Sequence, residues 1–200
     1  LHWGQSIPEL DAERASDLAA LLVIAVRDAA ATLAQADEGN VPAIIGELSQ
    51  QPWHVLHRLA LDLALQFPEG TRQFIHGELL NPSWWQPWVL DPEFLDLLGA
   101  HFGELTRHEQ DGLLEAIAAG PDRNDVRTRI EVGRGEPPTD EIVDDVITAW
   151  RRRRLARVQH YLSDGWSTRF ENLIGPEADL PALEPVRRGL ITWHGSSSPK

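Results

Sequence analysis

Apolar residues return at three- and four-residue steps along most of the chain, the spacing of one face of an α-helix, and no run alternates in twos as a half-buried strand would. From Asp11 to about Gln35, Leu18, Leu21, Leu22, Ala25, Val26, Ala29 and Leu33 fall on one helical stripe, with Asp11, Glu13 and Asp17 near the start, where the helix dipole favours acids. Gly39 and Asn40 end that pattern, and Val41 to Ser49, with Pro42 in its first turn, reads as a short second helix. Pro52 opens a helix over Trp53 to Phe67. In it Leu56, Leu59, Ala60, Leu63 and Phe67 share a face while Leu61 and Leu65 lie opposite, so it should be sandwiched between neighbours. Pro68 and Gly70 break it, and Thr71 to Leu80 forms its partner.

Further along, Asp91 caps a helix from Pro92 to about Leu105, with proline in a favoured first-turn position. Thr106 and Glu109 match the reciprocal capping pattern, which predicts a helix over Arg107 to Ala119 stopped by Gly120 and Pro121. The polar stretch from Asp122 to Pro138, with Gly133, Gly135 and Pro137, reads as a long exposed loop, about 121–139. Thr139 then caps Asp140 to about Leu162, Ser163 caps a helix ending near Ile174, and the proline-spaced tail 176–200 is expected to be mostly non-helical.

Sliding the chain by 39 residues lays Leu56, Leu59, Leu63, Phe74 and Ile75 on Leu95, Leu98, Phe102, Leu113 and Leu114, and Ala60 on Gly99. Each copy is a helix, a break and a second helix. A period near 40 built from helical pairs points to an all-α, HEAT-like α-solenoid fragment of antiparallel hairpins, in which units bury their apolar faces on one another. It would occupy 1–175. A compact irregular bundle is the alternative, because two matching units are fewer than such arrays usually need.

Composition narrows the chemistry. No cysteine is present, which removes disulfides and thiolates. With 31 Asp and Glu against 18 Lys and Arg the formal charge is -13, a field that repels polyanions. The longest strongly apolar stretch, Leu18 to Val26, is far shorter than the roughly 20 residues of a membrane span, so no membrane partner is expected. The absence of methionine and the start at Leu1 suggest a segment cut from a longer protein. With no secretory pattern, the expected location is cytoplasmic.

Candidate chemistry is sparse. His54 and His57 lie one helical turn apart, but two ligands fall short of the three or four that zinc requires. Asp140, Glu141, Asp144 and Asp145 crowd a helix start, where the dipole already accounts for them. No GxSxG, HExxH or phosphate-cradling glycine loop occurs, so no catalytic residue, metal or cofactor is assigned and the chain is read as non-enzymatic. Two features remain as candidate interaction residues. Arg151, Arg152, Arg153 and Arg154, followed by Arg157, wrap most of one helix, so some must meet protein. Their guanidinium forks suit carboxylates as well as phosphates. The acidic field disfavours nucleic acid and favours internal or inter-subunit pairing, with a nucleic-acid-binding array as the alternative. Trp84, Trp85 and Trp88, among eight tryptophans, stand between Pro82 and Pro92 and could plug a corner between helical pairs, anchor a protein partner or stack bases in a single-strand site, though no basic residues interleave them as such a groove needs.

The segments HVLHRLALDLALQF (His54 to Phe67), LTRHEQDGLLEAIAAGP (Leu105 to Pro121), ITAWRRRRLARVQHYLSDGWSTRFENL (Ile147 to Leu173) and ITWHGSSSP (Ile191 to Pro199), in that order, resemble HEAT-like helical segments of very large bacterial proteins. Those proteins are similar to STAND-type or related P-loop NTPases, many linked to anti-phage defence. In the tail, Trp193, Gly195, Ser198 and Pro199 fit the family pattern while His194 and Ser196 depart from it. The resemblance implies a sensor or scaffold region that recognises a protein partner or other domains of its parent chain, with the NTPase elsewhere.

Overall fold

The computed structural model of the chain describes residues 18–82 and 91–175, and the regular structure in them is all helical. In order these are α1 (Leu18–Ala36), α2 (Val41–Ser49), α3 (His54–Gln66), α4 (Pro68–Leu80), α5 (Asp91–His101), α6 (Arg107–Ala119), α7 (Arg123–Arg134), α8 (Asp140–Val158) and α9 (Asp164–Ile174). Short 3-10 turns precede α2 and follow α5 and α8.

Local chemistry places the ends. At α6 the Thr106 hydroxyl accepts from the Glu109 amide at 3.4 Å while the Glu109 carboxylate accepts from the Thr106 amide at 2.8 Å, which is the reciprocal box the sequence predicts. Pro68 does not break the helical path between α3 and α4 by itself. It sits in the first turn of α4, where its missing N–H costs nothing, so α4 starts three residues before the predicted Thr71. The break is the preceding Phe67, at φ -128 and ψ 61.

The expected loop 121–139 is corrected by the structure, because Arg123–Arg134 within it is the helix α7. The Asp122 carboxylate accepts from the amides of Asn124 and Asp125 at 2.8 and 3.0 Å, and Gly135 closes the helix in the left-handed conformation at φ 77. The pattern hides this helix because its contact stripe is only Val126 and Ile130, one turn apart, packed on Val143 and Ile147 of α8. Three apolar residues in twelve, with Val132 turned to solvent, give little periodicity.

The helices do not pack simply as consecutive pairs, since α5 rests on α3, α4 and α8 rather than on α6. α3 touches α1, α2, α4 and α5, which covers both apolar sides and buries Leu59, Ala60, Leu61, Leu63 and Ala64. α5 packs on α3 and α8, α6 on α8 and α9, and α7 rests on α8. The 39-residue offset carries α4 onto α6 end to end, and Leu59, Leu63 and Ile75 are as buried as their counterparts Leu98, Phe102 and Leu114.

The turn after α8 repeats the backbone conformation of the turn after α5. His101, at φ -120 and ψ 0, leads through a 3-10 turn to Leu105, at φ -71 and ψ 151, and the Thr106 cap. Val158, at φ -118 and ψ 3, leads through another to Leu162, at φ -70 and ψ 133, and the Ser163 cap. The spacing has grown because α7 intervenes and α8 is longer than α5. The two junctions also touch: the Phe102 and Tyr161 rings are 5.5 Å apart, and a Cβ on Gly103 would fall 2.6 Å from the Tyr161 ring. Glycine is what lets the junctions stack.

α1 departs from the pattern in another way. The helix forms, but its conspicuous apolar stripe faces outward: Leu22 is 59% exposed and Leu33 57%, with Leu21 and Val26 also exposed. The packed side is Val23, Arg27, Ala30, Ala31 and Ala34. Small residues let α1 lie close to its neighbours.

Candidate interaction surfaces

The arginine run on α8 is turned mostly inward. Arg151 Nη2 donates to the Ala119 carbonyl at the end of α6 at 3.2 Å, and Arg152 Nε to the Ile174 carbonyl at the end of α9 at 3.1 Å. Helix C-termini carry unsatisfied carbonyls and partial negative charge, so a guanidinium there satisfies both. Burial holds the Arg151 guanidinium below the ordinary arginine range. Gly120, at φ 75, makes room for it, since a Cβ there would lie 3.1 Å from Nη2. Arg154 is fully buried with its guanidinium 3.8 Å over the Trp150 ring, a cation–π stack. Arg157 pairs with Asp96 of α5 at 3.3 Å. Arg153 is the exposed member of the run. The arginines thus tie α8 to α5, α6 and α9. Trp84, Trp85 and Trp88, and the tail 176–200, lie outside the described residues.

His54 and His57 do not converge. His54 is exposed, whereas His57 is buried with Nε2 2.8 Å from Glu78 Oε2 on α4 and its ring against Phe74. Among the described residues no group of three or more His, Asp or Glu side chains is placed to hold a metal ion. Of the acids opening α8, Asp140 and Asp144 meet Arg123 and Arg127 of α7, and Glu141 and Asp145 face solvent. The Arg127 and Arg123 guanidinium groups hold the Asp140 carboxyl below the usual range, and Arg123 does the same for Asp144.

Two features escape one-dimensional reading. The first is a line of charge through the interior. Arg58 of α3 and Glu93 of α5, 1% and 3% exposed, form a two-bond fork, Nε to Oε2 at 2.8 Å and Nη2 to Oε1 at 2.9 Å. Beside them the Asp62 carboxyl is pushed up to about 6, by burial first and then by Glu93; the Gln66 amide, donating at 2.9 Å, and Arg27 of α1 pull it the other way. Asp96 is raised by burial, against the pull of Arg157. The only hint in the sequence is that charges, Arg58 and Asp62 in α3 and Glu93 and Asp96 in α5, stand among the leucines of two largely apolar helices. Which charge meets which depends on how α3 and α5 cross.

The second is an open groove of about 620 Å³ between α4 and the α5–α6 junction. Buried Ile75, Leu79 and Leu105 form its apolar floor, and Gln73, His76, His101 and Glu104 stand around it. His76 Nε2 lies 3.0 Å from Glu109 Oε1, which links α4 to the capping box of α6, and His101 Nδ1 lies 3.0 Å from Glu104 Oε1. Hydrogen bonds from Thr106 first, and then His76, lower the Glu109 pKa. An apolar floor with a polar, mixed-charge rim can seat a side chain of a partner and hydrogen-bond its backbone. Among the described residues no helix is long and apolar enough to cross a membrane.

Searches against protein-family models, curated proteins and solved structures return no match to this chain.

Proposed function

We propose that the chain is a HEAT-like helical-repeat scaffold or sensor segment that recognises protein, either a separate partner or other domains of its own polypeptide, and that it performs no bond-making chemistry. The observation carrying this reading is the recurrence of one helical-pair unit. The α3–α4 and α5–α6 pairs share buried positions at the 39-residue offset, and α5–α6 and α8–α9 share a junction whose two copies stack. Units that pack only on their neighbours make an extended surface, and recognition is the common use of such surfaces. The groove between α4 and the α5–α6 junction is the recognition site in this reading. The resemblance to segments of bacterial STAND-type NTPases supplies the setting, a defence-type machine in which partner binding biases an NTPase elsewhere in the polypeptide.

The test is site-specific photo-crosslinking in the bacterial polypeptide that carries this segment. A crosslinker at Gln73, on the groove rim, should capture a discrete protein or a defined region of the same polypeptide, while one at Val132, 81% exposed on α7, should not. Equal capture at both sites, or none at Gln73, removes the reading. Recovery of nucleic acid from a crosslinker at Arg153 would instead favour the nucleic-acid-binding alternative.

A further inference from the structure

The outward stripe of α1 is chemically unlike the rest of the surface. Leu22, Val26, Ala29, Leu33 and Ala36 follow one another at steps of four, three, four and three residues, the seam spacing of packed helix pairs, and all five are exposed. Flanking them, Leu21 and Ala25 are exposed as well. The face carries no charge: the only charged residues of α1 are Arg27, on the buried side, and Asp28, whose carboxylate accepts from Arg27 at 2.8 Å. Four exposed aliphatic side chains along a helix of 19 residues, about 28 Å long, make an apolar patch of the kind that marks an interface. α3 is apolar on two sides and has neighbours on both; α1 is apolar on two sides and, among the described residues, has them on one.

What fits this face is another uncharged helix with the same spacing. Among the described residues the exposed helix of that kind is α1 itself. We propose that a second copy of this chain packs its α1 antiparallel on this stripe, across a two-fold axis near Ala29. In that register Leu22 of each copy opposes Ala36 of the other, Leu33 opposes Ala25, and Ala29 meets Ala29. Large side chains then fill the space beside small ones and the helices approach closely where both are alanine. Antiparallel packing also sets opposite helix-dipole ends together. The formal charge of -13 per chain stays outside the contact and opposes it at long range. The pairing therefore strengthens with added salt, the reverse of a charge-driven interface. The inference rests on α1 alone and not on the groove or on the scaffold reading.

Sedimentation of the 200-residue chain tests it. A single helix pair lies at the low end of interface size, so the monomer should convert to a dimer, and no further, with a midpoint on the order of 10 μM that falls as salt rises. Leu22→Glu and Leu33→Glu should each raise that midpoint at least tenfold with helicity unchanged, because both side chains are already exposed, while Val132→Glu on α7 leaves it unaltered. The chain has no native cysteine, so engineered ones report register unambiguously. A mixture of Leu22→Cys and Ala36→Cys chains should oxidise to a crosslinked heterodimer, and Leu22→Cys alone should not crosslink. A monomer at about 200 μM, mass that climbs past the dimer without a plateau, a dimer indifferent to Leu33→Glu, or crosslinking of Leu22→Cys to itself would each overturn the proposal.

Discussion

The contact of α3 with α5 and that of α7 with α8 are both helix-on-helix, and they are held by opposite chemistry. Between α3 and α5 lie fully buried leucines and a forked Arg58–Glu93 pair almost sealed from water. Between α7 and α8 lie Val126 and Ile130 against Val143 and Ile147, framed by Arg123 and Arg127 on Asp140 and Asp144, of which Arg127 is half-buried and the others exposed. A charge pair inside the first contact is a strict requirement once its surroundings are dry, because removing one partner takes the fork from the other where water cannot replace it. The same pairing in the second is largely screened by solvent and contributes little, so five aliphatic side chains, Val146 among them, decide whether α7 stays docked.

Substitutions can break or sharpen that contrast. The largest effect should come from Arg58→Ala or Glu93→Ala, each lowering stability by about 3–5 kcal/mol in chemical denaturation, since each breaks a forked ion pair where water cannot take its place. Replacing both with Met and Leu should recover most of that loss. If the single variants cost no more than a surface change, the pair is not sealed as described. Next, Val126→Asp should release α7 by placing a carboxylate among apolar side chains. Hydrogen exchange should then rise over residues 123–134 while α3 and α5 keep their protection. Uniform loss of protection would make α7 part of the cooperative core.

Asp62 sharpens the comparison from the acid side. Its folded pKa is raised, so the ionised form is a penalty on folding that is fully present above about 6 and disappears as pH falls below the unfolded value near 4. Asp62→Asn should therefore stabilise the protein by about 1–2 kcal/mol at pH 7.5 and by nothing measurable at pH 4, read from paired denaturation curves. The smallest effect belongs to Asp144→Asn, whose loss of the Arg123 pairing should barely register in denaturation because solvent screens it. It should grow weaker still in high salt. A cost that survives 1 M salt would show the Arg123 pair to be more than a surface contact.

Much of the local structure was legible in one dimension. α2 and α6 begin and end where the pattern places them, because caps and prolines act over a few residues and need no tertiary partner. The sandwiched character of α3 was equally visible, since a helix apolar on opposite sides needs neighbours on both. α7 was not legible, because two contact residues carry no period and its Gly133 and Gly135 read as loop punctuation. Nor was the direction of α1: its larger aliphatics form the stripe that periodicity detects, whereas packing took the alanine side. The arginine run was legible as something that must meet protein, but its principal acceptors, the carbonyls ending α6 and α9, are backbone atoms that no residue code announces.

The sequence by itself therefore determined an all-α fold over the described residues and most of the helix boundaries in it. Those depend on interactions spanning one or two turns. Tertiary structure alone decided which side of α1 faces water, that Arg58 finds Glu93, and that Ile75, Leu79 and Leu105 floor a groove. Each of those outcomes depends on how two helices cross, and crossing geometry is fixed by the packing of many side chains together.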